Sequence, residues 1–459
     1  MTTENHYETV IVGGGLAGLY AAYQLRGRRV LVLEASERTG GRIRSHRMGN
    51  RWVNVGAHVY PNPESIMGAL AEELGIEVID IPGSLRGIVA DDKIINPSRV
   101  EMLPFVLPMP MRQRLAFVRK GLKLSLAMSR FNRIEHRVAT TDEERDQQRR
   151  ETVDFEAGRT FAEFMNGVPA AMDPLIRALA RRSAGEPEQV SAGAALMCLA
   201  HVMGPANAPG ATARVMVGGT ETVIEGLLAV LGNDAVRLSA PVTLVDATSE
   251  KNIQIDFESP SGPSTVTADT VIVATPAPIA RKILHPMPPE LGAGLDSVTY
   301  GAFLSVGIFT NETAPASTDH LYAITTPGKQ FDFLFNHANP VHPRSAHRDG
   351  GAFMAYRGGP RAEELMNEPD EKIAAVYLAQ FLEILPEYQG KIVEAHVQRW
   401  PLGTAYAAPG RNAYQSVLEA GHPDRRVGLA GDYFDPLSGM EQAVRAARLA
   451  VDRIKFARR

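Results

Sequence analysis

The sequence predicts an α/β chain. Its parts are a Rossmann-like nucleotide-binding domain, whose parallel sheet carries an inserted antiparallel meander, and a mixed α+β substrate domain. Three observations predict this. A strand, glycine turn, helix, strand and acid follow one another at the start. A meander and a buried strand return near residue 271. A glycine–acid turn running into a helix closes the chain.

The opening unit is Val10-Ile-Val-Gly-Gly-Gly-Leu-Ala-Gly. Val10 to Val12 is short, apolar and β-branched, as suits a strand buried on both faces. Gly13, Gly15 and Gly18 fill the three glycine positions of a dinucleotide turn. The first permits the tight turn, the second lets backbone approach a pyrophosphate, and the third lets helix pack on strand. Leu16 and Ala17 begin a helix running to Arg26, whose N-terminal amides favour phosphate. A second strand, Val30 to Leu33, ends at Glu34, where a carboxylate accepts ribose hydroxyls, with Ala35 beside it. Arg38, Gly40, Gly41 and Arg42 then form a basic, glycine-rich turn. Its glycines permit close passage of a cofactor, and Arg42 can reach phosphate.

The stretch Arg38-Thr-Gly-Gly-Arg42 after an acid-ended second strand resembles the flavin-containing amine oxidase superfamily. That superfamily includes monoamine and polyamine oxidases, L-amino-acid oxidases, protoporphyrinogen oxidase and phytoene-desaturase-like enzymes. Three later segments are similar to it as well. Val215 to Leu227 looks like its second glycine turn and helix, leading to Val242, the position that holds adenine through backbone bonds. Val271-Ile-Val-Ala-Thr-Pro276 resembles the strand returning to the cofactor, with Thr275 at its end. Gly428-Leu-Ala-Gly-Asp-Tyr433 followed by Ser438-Gly-Met-Glu-Gln-Ala443 resembles the terminal flavin motif. There Gly431, Asp432, Gly439, Met440 and Ala443 would contact the cofactor, Asp432 at its ribityl or pyrophosphate groups. The resemblance implies FAD, a hydride-transferring oxidoreductase, and no metal. The electron acceptor would be oxygen or a quinone, and a homodimer would be unsurprising.

Bulk properties bound the rest. The chain has 459 residues, enough for two or more domains with substantial cores. A net charge of −4 exerts no global pull toward nucleic acid. The single cysteine, Cys198, excludes an internal disulfide framework and fits a reducing cytoplasm. Its apolar setting predicts a packed core residue, far from the C-terminal segment where some superfamily members tether flavin, so FAD is expected to be non-covalent. No export signal and no run of 18 apolar residues are seen. The cofactor domain is expected from residues 1–85, 215–285 and 391–459, and the substrate domain from 86–214 and 286–390. Residues 100–200 read mainly as helices, 300–310 and 351–357 as strands, and Asp142 to Glu151 as an exposed connection. Met102 to Met111 is apolar and is followed by Arg112, Arg114, Arg119, Lys120 and Lys123. Peripheral membrane contact is weighed there against a core-packed helix with snorkelling cations, and the latter is favoured.

For chemistry, Trp52 to Tyr60 resembles the superfamily's loop beside the flavin ring. Gly56 and Ala57 would bring amides to the flavin edge, and His58 and Tyr60 would face pocket or core. Asn54 stands where the superfamily usually has an acid. Amine-oxidising members commonly carry a lysine holding a water against flavin N5. The matching place here is Ser305, in a strand without lysine. Gly439 replaces the aromatic expected before Met440, while Trp400 and Tyr406 survive upstream. The ending is similar to desaturase-like members. The favoured reading is therefore desaturation of a small or medium apolar ring compound such as a cyclic ketone. Amine oxidation is the alternative, and a non-catalytic or membrane-associated flavoprotein comes after it. Candidate bases are His58, Tyr60, Tyr406 and Tyr433, with His337 a weaker one.

Overall fold

A computed structural model describes residues 5–58, 64–81, 83–91, 93–203, 214–338 and 349–456. Two large sheets organise it. In the first, His6–Val12 lies between Val30–Leu33 and Gly262–Val273, parallel to both. Val236–Arg237 extends one side, and Val427–Leu429 pairs in parallel with the far end of Gly262–Val273. The predicted meander is present: Val242–Asp246, Ile253–Ser259 and the near half of Gly262–Val273 run antiparallel. The central strands are apolar along their length because helices cover both faces. One face packs on Leu16–Gln24 and Met440–Phe456, the other on the meander and Ala277–Ile283.

The second sheet runs Ile392–Tyr406, Thr299–Thr310, Ala352–Gly358, Phe333–Asn336, Ala323–Thr325, Gly87–Ala90 and Lys93–Ile95. Strands share side chains between two faces by alternation. Leu304, Val306 and Ile308 pack under the helix Asp370–Ile384 through Ile373, Tyr377 and Phe381. Phe309, Phe333, Phe335 and Tyr356 occupy the opposite face, against the helix Ala192–Met203. This face looks toward the nucleotide-binding half, and its residues matter below.

Two expectations need correction. The start of the 391–459 piece does not join the cofactor sheet, because Ile392–Tyr406 pairs along Thr299–Thr310 in the second sheet. Asp142 to Glu151 is no mere connection but part of a helix, Asp142–Asp154. Its start is fixed by a capping box in which Thr141 and Glu144 satisfy each other's backbone amides. High charge hid the pattern, since the helix buries only Val153. Cys198 is buried and unpaired, as expected. No helix among the described residues is long and apolar enough to cross a membrane.

The helix Met111–Glu135 packs on the core through Phe117, Ala127 and Phe131, in line with the favoured reading. Lys120 does fold inward, donating to the Met165 and Asn166 carbonyls, and Lys123 donates to that of Phe164. The outer face, however, is apolar. Met111, Leu115, Leu122 and Leu126, with Phe105 just before the helix, are each 57–67% exposed, and Val118 is 41% exposed.

Candidate active site

The nucleotide turn is built by close backbone approach. A side chain on Gly18 would stand 1.9 Å from the Gly13 carbonyl oxygen, and Gly13 itself takes φ +107°. Leu16–Gln24 begins at Gly15, with Leu16 and Ala17 buried. The second glycine turn folds onto this one: Gly40 N–H donates to the Gly14 carbonyl (2.8 Å), and Gly15 and Gly40 form a bridge. Glu34 is oriented by three donors, Gly14 N–H at 2.6 Å, Ser36 N–H at 2.9 Å and Ser36 Oγ at 2.6 Å. A carboxylate has about four acceptor sites, so one stays available for a ribose hydroxyl. Ala35 is exposed at the rim. Ala240 N–H donates to the Glu34 carbonyl, which brings the segment before Val242 against the same edge. Val242 begins its strand at a β-bulge. The hydroxyl of Thr275 is buried beside Gly13 with no partner among the described residues. These features fit FAD: a phosphate cradle with no room for side chains, an oriented carboxylate and an orphaned hydroxyl.

The two ends of the chain meet at this cleft. Arg42 Nη2 lies 2.7 Å from Asp432 Oδ1. Burial works against the Arg42 charge, but Asp432 and Tyr300 together outweigh it and raise the pKa. Arg38, by contrast, turns back on its own loop, donating to the carbonyls of Thr39, Gly41 and Ile43. Gly431 precedes Asp432, and a side chain there would strike the Tyr433 ring. Gly439 precedes the helix Met440–Phe456, with Met440 buried against the first helix and Ala443 N–H returning to the Gly439 carbonyl. Glu441 reaches across to cap Ile66 and Met67, so it is structural.

Around the ring-facing loop, three expectations change. Asn54 does not face the cleft through its oxygen: Oδ1 accepts from Ser45 Oγ (2.8 Å) and Thr220 N–H (3.0 Å), pinning the second glycine turn. The Ala57 amide is already donated to the Arg42 carbonyl (3.1 Å), so it is not free for the flavin edge. Gly56 passes that same carbonyl so closely that a side chain would lie 2.2 Å from it. The Trp400 indole N–H donates to the Val55 carbonyl (2.8 Å), which fixes this loop, and the Arg38 guanidinium lies over the indole ring at 5.9 Å. Tyr433 is the third correction. It lies in the apolar core under the parallel sheet, stacked on Phe434, with burial raising its pKa well above the ordinary value. It is no base. Tyr60 lies outside the described residues.

The other candidates gather on the inner face of the second sheet. Ser305 is buried and emerges on the same side as Gly307, whose added side chain would press on Val53 and Val55. Its cross-strand neighbours are Tyr356 and Gln398. His58 rests edge-on against Phe335 (4.6 Å) and tilted toward His337 (5.7 Å). Burial, with the Arg182 charge adding to it, lowers His58 to about 4, so it is neutral near neutral pH. Its Nδ1 lies 3.3 Å from the Gly56 carbonyl, which can only accept. That partner assigns the proton to Nδ1 and leaves the buried Nε2 as an acceptor. His337 has the opposite polarity. Asn54 N–H donates to its Nδ1 (3.3 Å), so its buried, unpartnered Nε2 carries the proton. The Tyr322 hydroxyl nearby is also buried with no partner among the described residues. Tyr406 sits at the end of its strand, its ring against Gly185, with burial raising its pKa.

Sequence reasoning missed the residues that give this wall its character. Phe333 and Phe335 stack on Tyr356 at 5.3 and 5.9 Å, and the Arg182 guanidinium covers Phe333 at 4.8 Å. The alternation Phe333-Leu-Phe-Asn-His337 was the available signal. Nothing local marked Arg182 or Tyr356.

A phosphate cradle joined from both termini and an apolar wall beyond it are what a flavin enzyme requires. Residues 16–455 match the model of the flavin containing amine oxidoreductases. The chain belongs to this family. It is an FAD-dependent oxidoreductase. Among solved structures, cyclohexylamine oxidase from Brevibacterium oxydans is similar in fold, with a TM-score of 0.75 at 17% identity over 99% of this chain and 100% of that one. A probable flavin-containing monoamine oxidase A from Dictyostelium discoideum is 24% identical over 62% of this chain and 61% of its own length. An L-amino-acid oxidase from Sistrurus catenatus edwardsii is 42% identical over 78 residues, which are 17% of this chain and 15% of that protein.

Proposed function

We propose that this family member removes two hydrogens from adjacent carbons of a small or medium apolar ring compound, a saturated cyclic ketone being the type substrate. FAD, when bound, supplies the acceptor for the hydride and its electron pair, and oxygen or a quinone takes those electrons onward. The observation carrying this reading is Ser305. It stands on the inner face, between Tyr356 and Gln398, where amine-oxidising relatives would present a lysine. The aromatic wall excludes water and holds an apolar body. His58 Nε2 and His337 Nε2–H offer one acceptor and one donor for a carbonyl or the proton beside it. His58 is too weakly basic to take that proton alone unless the carbonyl is polarised by the donor. Amine oxidation is the second reading, and the family's solved relatives favour it, since hydride transfer needs alignment more than a lysine. Anaerobic mixing decides between them. Cyclic ketones are expected to bleach the flavin and amines to leave it yellow, while Ser305→Lys is not expected to gain amine oxidation. Rapid bleaching by amines alone refutes the desaturase reading.

We also infer that the exposed face of Met111–Glu135 docks on an anionic lipid surface. Eight large apolar residues from Met102 to Leu126 are exposed there, more than a solvated face explains. The helix holds seven basic residues and one acid, Glu135. Arg112 and Arg119 flank the stripe, so an anionic headgroup layer complements it where a second copy would repel it. Vesicles containing phosphatidylserine are expected to float the protein, phosphatidylcholine vesicles to float it poorly, and Leu115→Glu to abolish flotation with FAD retained. A wild-type protein that stays unbound, or a dimer that Leu115→Glu dissociates, overturns the inference.

A further inference from the structure

We propose that Arg182 anchors an anionic group of the substrate, so that the site selects molecules joining an apolar body to a carboxylate. This rests on the hydride-transfer reading above and adds the polar end of the substrate, which that reading leaves open.

The turn bearing Arg182 is built with unusual rigidity. Arg181–Ser183 forms one 3-10 turn, and Ala184 follows in the left-handed region at φ 57°. Three glycines on the neighbouring strands admit it. A side chain on Gly301 would lie 1.8 Å from the Ala184 carbonyl oxygen, one on Gly358 would lie 2.3 Å from that of Arg181, and one on Gly359 would lie 3.1 Å from that of Ala184. Arg181 clamps the turn from beneath through Glu186 (2.7 Å) and the buried Asp332 (3.1 Å).

The acids around this turn are all taken by the flanking arginines. Arg177 holds Asp173, Glu186 and Glu188, while Arg181 holds Glu186 and Asp332. Arg182 has no carboxylate within ion-pair distance among the described residues. Its guanidinium lies instead over Phe333, which stacks on Tyr356, and Tyr356 faces Ser305 across the strands. A half-buried cation left unpaired on a fixed pedestal is a ready partner for an incoming carboxylate, which the planar guanidinium can grip with two hydrogen bonds. The same charge disfavours a protonated amine in that position. The competing account is that Arg182 only caps the Phe333 ring.

Binding distinguishes the two. Benzoate and cyclohexanecarboxylate, with benzyl alcohol and cyclohexylmethanol as neutral counterparts, are titrated calorimetrically into FAD-loaded protein at neutral pH. Wild type is expected to bind each acid more tightly than its alcohol. Arg182→Met is expected to weaken both acids by about 10- to 100-fold while leaving the alcohols nearly unchanged. Arg182→Lys should keep part of the preference, as a charge without the planar fork. Acids that bind wild type no better than alcohols, or that bind Arg182→Met equally well, overturn the proposal. The wild-type comparison stands even if the methionine variant folds poorly. Failure of the hydride reading gives a different signature, with acid binding intact but no panel compound reducing the flavin.

Discussion

Gly18→Ala is expected to cost the protein its yellow colour. The added methyl group would lie 1.9 Å from the Gly13 carbonyl oxygen, and that contact is backbone against backbone, which no side-chain rotation relieves. The helix or the turn must move. Because Leu16–Gln24 is packed almost wholly inside the core, the turn is the part that gives way. Overpacking of this kind costs about 1–3 kcal/mol. The same displacement moves the amides that face the pyrophosphate, so FAD affinity should fall by at least about tenfold. Flavin-to-protein absorbance ratio and melting temperature check both effects. Gly121→Ala is the matching control: nothing lies within 4 Å of its new methyl group, inside an exposed helix. There the same change should be neutral or stabilise by up to about 1 kcal/mol. Equal colour and stability in Gly18→Ala would show that the turn is not the rigid cradle described.

Arg181→Met should be the most destabilising change in the substrate half. Asp332 is 1% exposed and receives Arg181 Nη1 at 3.1 Å, with only the Gly358 amide (3.3 Å) as a further donor among the described residues. Burial pushes its carboxyl up from the ordinary range, and Arg181 pulls against that. Removing the arginine strands the carboxylate, at a cost of about 3–5 kcal/mol for a buried pair broken on one side. Denaturant midpoints measure the loss. Adding Asp332→Leu to Arg181→Met should recover much of it, because the pair itself is close to neutral against an apolar substitute. A loss below about 1 kcal/mol would mean that Arg181 does not hold the turn through its buried pair with Asp332.

The nucleotide cradle was legible in the sequence because its physics is local. Gly13 takes a positive φ and Gly18 packs on the Gly13 carbonyl five residues before it, and Glu34 directly follows the short strand Val30–Leu33. The meander was readable for the same reason, through alternation and a Ser/Pro/Gly turn. What sequence could not supply was assembly over distance. Tyr433 directly follows Asp432 in the glycine–acid turn, yet its side chain turns into the core beneath the sheet. Ile392–Tyr406 reads as a strand in either sheet, and only its partner, Thr299–Thr310, decides. Arg182, Phe333 and Tyr356 come from three segments with no spacing to connect them, so their wall was invisible. Asn54 stands where the superfamily usually has an acid, and nothing local shows that its oxygen is spent on Ser45 and Thr220.

The Arg42–Asp432 contact spans 390 residues of chain. A ribosome must therefore release the chain through Asp432 before the pocket's two halves can close on one another. Nascent chains stalled before that point would carry the glycine turn without its distal clamp.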